Sequence, residues 1–578
     1  MELKTELIDI LNLHHNSLST PASWNKDVGV LIFKGYPNEK EKLKSFRGLS
    51  LGSNIGKLYE RVLRSRIDKY VEENKILGEM QGAYRKNRSL LEQNFIMNQL
   101  LEISKRKKQK YYIIAIDLSK AFDMVDRKKL LDVLENNIGD SKLNEIVKSL
   151  YKDTMRKFKT STGYTKWIKY TLGVKQGAIL SPGFFNLFMK ELGEKVQKTG
   201  LGICIGDIKI ACLLFADDVL LFASSKEEAD ELLKIVSNFI NERQLLLNED
   251  KTKIISSDKL YNHPLLNQES WEGYLKYLGL YIEDSNHMWK LQRELMGKNL
   301  IKKRNEMHAI IDQSLDKFNL ADLIWKGEVI PAALYGCEIV IMTKTLLKQL
   351  NTQQNVTLRR LFKAHKSTNG AILRSEMGWE SVESMIYKRK LNFWHYLCNL
   401  PAERWAKKVF LEARKQNTNW FIEIEEIKQK IGIDHSMIHL RKNEAKRIIH
   451  KKVIQWDASR NEKSIFSCNS LIHYKKYIQK GRKQYINDKS WIGVNKFITG
   501  QVILYTKSAK LRKCPLCYDD IEPDAYHILG KCKFVAISNN FPFIMRIRKK
   551  YSSNSESTIY DLIDEILSTK VVDELEEC

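Results

Sequence analysis

A chain of 578 residues that is 43% hydrophobic and 10% aromatic has apolar material for three or four structural units with real cores, which excludes a disordered polymer. Its 96 Lys and Arg against 70 Asp and Glu leave a formal charge of +26 and a pI near 9.4, a balance that points to a polyanionic partner, with nucleic acid as the first candidate. No apolar run of about 18 residues could span a bilayer and no basic amphipathic anchor is present, so no membrane partner is expected. The amino-terminal MELKTELIDILNLHH carries acids inside its apolar pattern and is not read as a signal peptide. Nine cysteines without such a signal argue for an intracellular, reducing environment and for metal binding over disulfides.

In chain order, residues 1–14 have helical apolar spacing, and the Ser, Thr and Pro stretch from Ser17 to Ser23 ends a short extension, residues 1–27. VGVLIF and FRGLSL then read as strands, followed by a basic helix around Gly56 to Lys69. Lys34 and Arg47 sit beside these strands, either solvated or placed to grip a triphosphate, Lys as a point charge and Arg as a fork. The loop from Gln81 to Ser89 leads into a helix towards Lys110, and the apolar run from Tyr111 ends on Asp117, with Phe122 and Asp123 just beyond. Between Gly173 and Asn186, Ser181 reads as an N-cap and Pro182 as the first helical residue. The glycine of this loop, Gly177, lets backbone approach a ligand closely.

The stretch from Ile210 to Ala223 reads as a buried hairpin turning at Asp217 and Asp218. Taken alone, two acids there make an ordinary turn. Beside Asp117 at the end of another buried strand they become a cluster, and adjacent carboxylates against apolar strands stay ionised cheaply only around a cation. Oxygen-only ligands imply Mg2+, with Mn2+ as the substitute, and two such strands can hold two ions. The chain then runs through Leu247, Asn248 and Lys251 into a strand, and Tyr274 to Gly279 forms a further apolar turn.

The succession FRGLSL, QGAYR, IDLSKAFD, KQGAILSP, FADD, LNEDKTK and YLG resembles the ordered blocks of a reverse transcriptase of the non-LTR (LINE-type) retrotransposon family. IPAALYGCE, from Ile330 to Glu338, is similar to the family's thumb. The resemblance implies an α/β right-hand polymerase: fingers and palm with an antiparallel catalytic sheet over 28–283 and a helical thumb over 284–400. It implies an RNA-directed DNA polymerase using an RNA template, a DNA primer or target DNA, and dNTPs. Asp117, Asp217 and Asp218 would hold two Mg2+ ions. Phe122 would wall the incoming sugar against a ribose hydroxyl, with a core aromatic as the plainer reading. By the same resemblance Lys34 and Arg47 match residues on the triphosphate and base, Gln176 and Gly177 match the loop beside nucleotide and template, and Lys251 matches a lysine that protonates pyrophosphate. Where many relatives have Tyr before the Ala-Asp-Asp this chain has Phe215, and FRGLSL lacks the proline common after the arginine.

Residues 401–513 carry 26 Lys and Arg against 10 Asp and Glu, with Trp405, Trp420, Trp456, Tyr474, Tyr477, Tyr485 and Trp491 interleaved. This basic helical linker reads as a phosphate-neutralising face with occasional base stacking, against the plain alternative of a solvated helical surface. Cys514, Cys517, His527 and Cys532 have the spacing of a closed structural zinc site in a module over 514–532, and the same ligand set occurs in the resembled family. The tail, 533–578, ends acidic. The family's endonuclease domains have no room before residue 28 or after Cys532, so a fragment, a degenerate copy, a retained polymerase and a polymerase served by an endonuclease in trans all stay open. An intron-maturase-like enzyme and a catalytically inactive RNA-binding remnant are the alternatives. A nuclear location is expected if the chain is an active eukaryotic retroelement.

Overall fold

The computed structural model describes residues 2–466, apart from 36–40, 43, 44, 262, 267–272, 286, 315, 363, 365 and 367. The zinc-ligand cluster at Cys514, Cys517, His527 and Cys532 therefore lies outside the described residues, as do Tyr474, Tyr477, Tyr485 and Trp491. The described chain divides into two compact units: residues 2–292 with 397–422, and residues 293–396 with 423–466.

The first unit opens with α1 (Glu2–Asn16), then β1 (Lys26–Phe33), β2 (Phe46–Leu51), α2 (Asn54–Glu73) and α3 (Leu90–Arg106). Next come β3 (Tyr112–Ile116), α4 (Arg127–Ile138), α5 (Ser141–Tyr151), β4 (Met155–Thr160), β5 (Gly163–Tyr164), β6 (Ile168–Lys169) and α6 (Ser181–Lys198). It continues with β7 (Ile203–Ile205), β8 (Ile208–Ile210), β9 (Cys212–Phe215), β10 (Asp218–Ala223), α7 (Lys226–Arg243), β11 (Lys253–Ser256), β12 (Tyr274–Tyr277) and β13 (Leu280–Glu283). Two sheets position the candidate site. One has the order β2-β1-β4-β5 with β6 also on β4; the other has the order β11-β3-β10-β9.

The second sheet is antiparallel, and its middle strands are buried on both faces. YYIIAI supplies a continuous apolar run for β3, and VLLFA does the same for β10, so both insert between helices where an alternating strand could not. Beneath them α6 contributes Phe184, Phe185, Phe188 and Met189, all essentially inaccessible, and α7 adds Leu232, Leu233 and Phe239. At roughly 1.5–3 kcal/mol for each large side chain buried, this layer fixes the sheet firmly enough to carry charges at its edge. Local signals agree: Ser89 and Glu92 form a complete capping box at the start of α3, and Ser225 caps α7. The start of α6 differs from expectation. Its cap is Leu180 with no side-chain cap bond, so Ser181 and Pro182 are the first two helical residues; just ahead of the helix the amides of Ile179 and Leu180 donate to the buried Glu60 carboxylate.

The second unit is helical: α8 (Lys290–Ile311), α9 (Lys317–Ile324), α10 (Ile330–Ala333), α11 (Lys344–Leu361), α12 (Gly370–Met377) and α13 (Val382–Cys398). After it, α14 (Trp405–Lys415) belongs to the first unit, and α15 (Asn419–Ile431) leads to α16 (Lys442–Phe466) in the second. Two of the tryptophans read as base-stacking candidates are placed otherwise. Trp420 is fully buried against Phe95 and Phe410, and Trp405 packs on the core of the first unit, because each lies on the apolar stripe of its segment and not on the basic one. Trp456 is half-buried under Lys430 and Arg460.

Candidate active site

The site is built where two strand ends meet. β10 pairs with β3 from Ala223 opposite Tyr112 to Val219 opposite Ile116, and one further step of that register sets Asp218 against Asp117. β9 and β10 close on the pair Phe215 and Asp218, leaving Ala216 and Asp217 as a two-residue turn. The left-handed position of this turn falls on Ala216, at φ 56°, where glycine is the usual occupant. The strained residue is held from outside: its N–H donates to Oε1 of the buried Gln81 at 3.3 Å, and the backbone around Gln81 is zipped to β9 through Gly82 N to Leu214 O and Leu214 N to Met80 O. The QGAYR loop thus templates the turn that presents the two acids.

Three carboxylates converge on a part-buried edge, and their electrostatics record it. The Asp218 carboxyl is pushed up to about 6, first by burial, then by the charges of Asp217 and Asp117. Asp217 is also raised by burial, with Asp117 adding to the shift and Arg47 and Lys251 easing it. Asp117 accepts a hydrogen bond from Asn248 Nδ2 at 2.8 Å and has the exposed Lys251 ammonium 3.6 Å away. Asn248 N also donates to Asp117 O, so the Leu247 to Lys251 segment is fastened beside the acid by its own backbone.

The other sequence-derived residues ring this edge. Arg47 lies on exposed β2, opposite Ile32 on β1, and its charge reaches Asp217. Lys34 follows β1, and its charge acts on Asp123, whose carboxyl is raised by burial and eased by Arg156 and by Gln176. Gln176 Nε2 donates to Asp123 Oδ1 at 3.0 Å, while the Gln176 carbonyl accepts from Ser50 N at 2.6 Å. Gly177 has φ 109°, and a Cβ there would sit 2.8 Å from the Ser50 carbonyl oxygen, so the backbone that this glycine admits closely is that of β2. Phe122 stands on a short turn, half-buried, with its ring stacked on Phe185 at 4.3 Å and 11°. One face is therefore core and the remainder is open.

Three residues were not singled out from the sequence. Gln81 and Asn248 position the turn and Asp117 respectively. Tyr84, at φ 54° and half exposed, has its phenol raised by burial and by the charge of Asp217 and eased by Arg47, so it senses both the acids and the arginine.

Among the described residues no group of three or more His, Cys, Asp or Glu stands close enough together to hold a metal ion by itself. The donor set at Asp117, Asp217 and Asp218 is nevertheless all-oxygen, part-buried and mutually repulsive, which fits ions that keep water and phosphate oxygens as their remaining ligands.

Known proteins resemble part of this chain in sequence. Residues 37–282 match the family model described as reverse transcriptase (RNA-dependent DNA polymerase). Over this segment the chain is similar to reverse transcriptases. Similar proteins include those of retrotransposable and mobile elements. The chain is 30% identical over 251 residues to a Pol polyprotein from the type-1 retrotransposable element R2 of Popillia japonica, covering 43% of this chain and 34% of that protein. It is 24% identical over 367 residues to the RNA-directed DNA polymerase from mobile element jockey of Drosophila melanogaster, covering 59% of this chain and 38% of that one. The chain thus spans well under two thirds of the length of these curated relatives. Among solved structures, apo telomerase from Candida tropicalis aligns over 76% of this chain and 73% of its own with 11% identity and a TM-score of 0.38.

Proposed function

We propose that this chain is an RNA-directed DNA polymerase of non-LTR retrotransposon type, extending a DNA primer along an RNA template. The observation that carries the reading is the register that sets Asp117 against the Asp217–Asp218 turn at a shared sheet edge inside the matched domain. In this proposal Asp117, Asp217 and Asp218 hold two Mg2+ ions, which when bound would acidify the primer hydroxyl and neutralise the triphosphate. The protein's part is positioning and charge, as phosphoryl transfer demands. Arg47 and Lys34 draw the triphosphate towards the acids, Asn248 orients Asp117, and the open part of Phe122 meets the sugar. Gln176, tied to Asp123 and to β2, borders the nucleotide beside Gly177. Lys251, 3.6 Å from Asp117, is close enough to serve a leaving pyrophosphate. The zinc module at Cys514, Cys517, His527 and Cys532 and the basic segment leading to it remain part of the proposal as contacts to RNA or target DNA, supported by ligand spacing and charge.

Primer extension tests the reading. Purified protein with an RNA template, DNA primer, dNTPs and Mg2+ should extend the primer, and Asp117→Asn or Asp217→Asn should abolish extension while template binding persists. Robust extension by either variant would reject the site; binding without extension by the parent would reject the enzyme.

A further inference from the structure

The sheet that carries Arg47 has a second feature away from the acids. β4 and β5 form a hairpin, and Lys157 Nζ lies between two exposed rings, 4.4 Å from the Tyr164 centroid and 5.0 Å from that of Trp167, with Lys26 Nζ 5.7 Å from the same Trp167. Tyr164 is 58% and Trp167 40% exposed, and Lys159 and Lys166 are also open to solvent. Residues 154–169 contain four Lys and one Arg and no Asp or Glu. Arg156 is engaged internally with Asp27, Ser50 and Tyr170, on the opposite face. Lys169 is paired with Asp153 at 2.6 Å, but a large indole and a phenol left in water beside Lys157, Lys159 and Lys166 need a partner that offers both flat apolar faces and negative charge.

The pairing shows where this cluster leads. Lys157 pairs with Val28, Val28 with Leu51, and Ile32 with Arg47, so strand alternation puts Lys157, Val28, Val30, Ile32, Leu49, Leu51 and Arg47 on one face. From Ile32 back to Val28 is four residues, about 13 Å. Ile32 and Leu51 on this face are themselves about half exposed. An apolar, basic-edged track therefore runs from the arginine beside Asp217 to the Tyr164–Lys157–Trp167 clamp.

We propose that this clamp binds the unpaired 5′ portion of the template, a few nucleotides ahead of the site, with bases stacked on Trp167 and Tyr164 and phosphates on Lys159 and Lys166. The inference rests on the polymerase reading for the identity of the strand. Single-stranded nucleic acid is favoured over a duplex because exposed rings gain from bases only when these are unstacked.

The test is anisotropy of the full chain on primer–templates with a 5′ RNA overhang of about one or about ten nucleotides, and on blunt duplex. Trp167→Ala and Tyr164→Ala should each weaken the long-overhang complex about five- to tenfold and leave the other two unchanged. Lys159→Gln with Lys166→Gln, exposed changes that disturb no packing, should lower the salt slope of long-overhang binding by about 1.4. Equal losses on all three ligands, or no loss on any, would overturn the proposal and leave the hairpin as a duplex or protein contact. The two readings fail separately: overhang-dependent binding without extension strikes only the polymerase assignment, and extension without overhang dependence strikes only the clamp.

Discussion

At the scale of single residues, the site is held at the cost of stability, and the cost has a sign. Asp218 titrates in the fold at about 6, above the ordinary 3.8, so the folded protein resists an ionisation that the unfolded chain accepts. The destabilisation is absent below pH 4, grows as pH rises towards 6 and is complete above it. Asp218→Asn should therefore stabilise the cation-free protein by about 2–3 kcal/mol at pH 7 and by little at pH 4, since each tenfold change in proton affinity is worth about 1.4 kcal/mol. Thermal melts in EDTA across that range would show it; a gain independent of pH would mean that ionising the buried Asp218 is not the cause. Phe122 gives a second expectation. Its ring is backed by Phe185, so Phe122→Ala removes a wall without opening the deep core, and ribonucleotide incorporation should rise; unchanged sugar discrimination in a folded variant would make the ring purely structural. The acids were legible in the sequence because charge at the end of an apolar run is conspicuous. Gln81, Asn248 and Tyr84 were not, since their roles depend on a backbone brought alongside from more than 100 residues away and spacing cannot encode that.

At the scale of elements, most strands could be read in advance because β3, β9 and β10 are continuous apolar runs, whereas the start of α6 could not. Ser181-Pro182 has the composition of a cap, yet the helix begins one residue earlier in its register, and Glu60 on α2 holds the amides of Ile179 and Leu180 in the loop that enters it, a tertiary contact invisible to local pattern. The same loop carries a sharper consequence. Gly177 combines a backbone angle that other residues adopt only under strain with a carbonyl in the place of a side chain. Gly177→Ala must push the loop from β2, breaking the Ser50–Gln176 bond and loosening Gln176 from Asp123. A loss of about 2–3 kcal/mol is expected from strain and the broken bond together. The KM for dNTP should rise more than kcat falls, because the acids themselves do not move. A variant with normal KM would show that the loop does not border the nucleotide.

At the scale of the whole chain, the matched domain ends near residue 282, but its compact unit does not: 397–422 returns to it after the helical second unit has been built. Linear blocks read from sequence could not anticipate this, because the returning segment looks merely basic and amphipathic. Its anchors are specific. Arg404 pairs with Glu92 and Glu79, Trp405 N donates to Glu79, Asn419 N donates to Glu102 at 2.6 Å, and Trp420 closes over Phe95 at 4.9 Å between ring centres. Helix α3 is consequently buried on every side from Glu92 to Ser104, which a chain ended at residue 292 could not achieve. Such a truncated chain should expose the Phe95 face, bind a hydrophobic dye and aggregate, although it contains the entire matched domain. Joining 397–422 to its end through a flexible Gly/Ser linker should restore a cooperative melt, and Trp420→Ala in that fusion should remove about 3–5 kcal/mol again. A soluble, dye-free 1–292 chain would show instead that α3 needs no cover, and that the returning segment is only a tether between the two units.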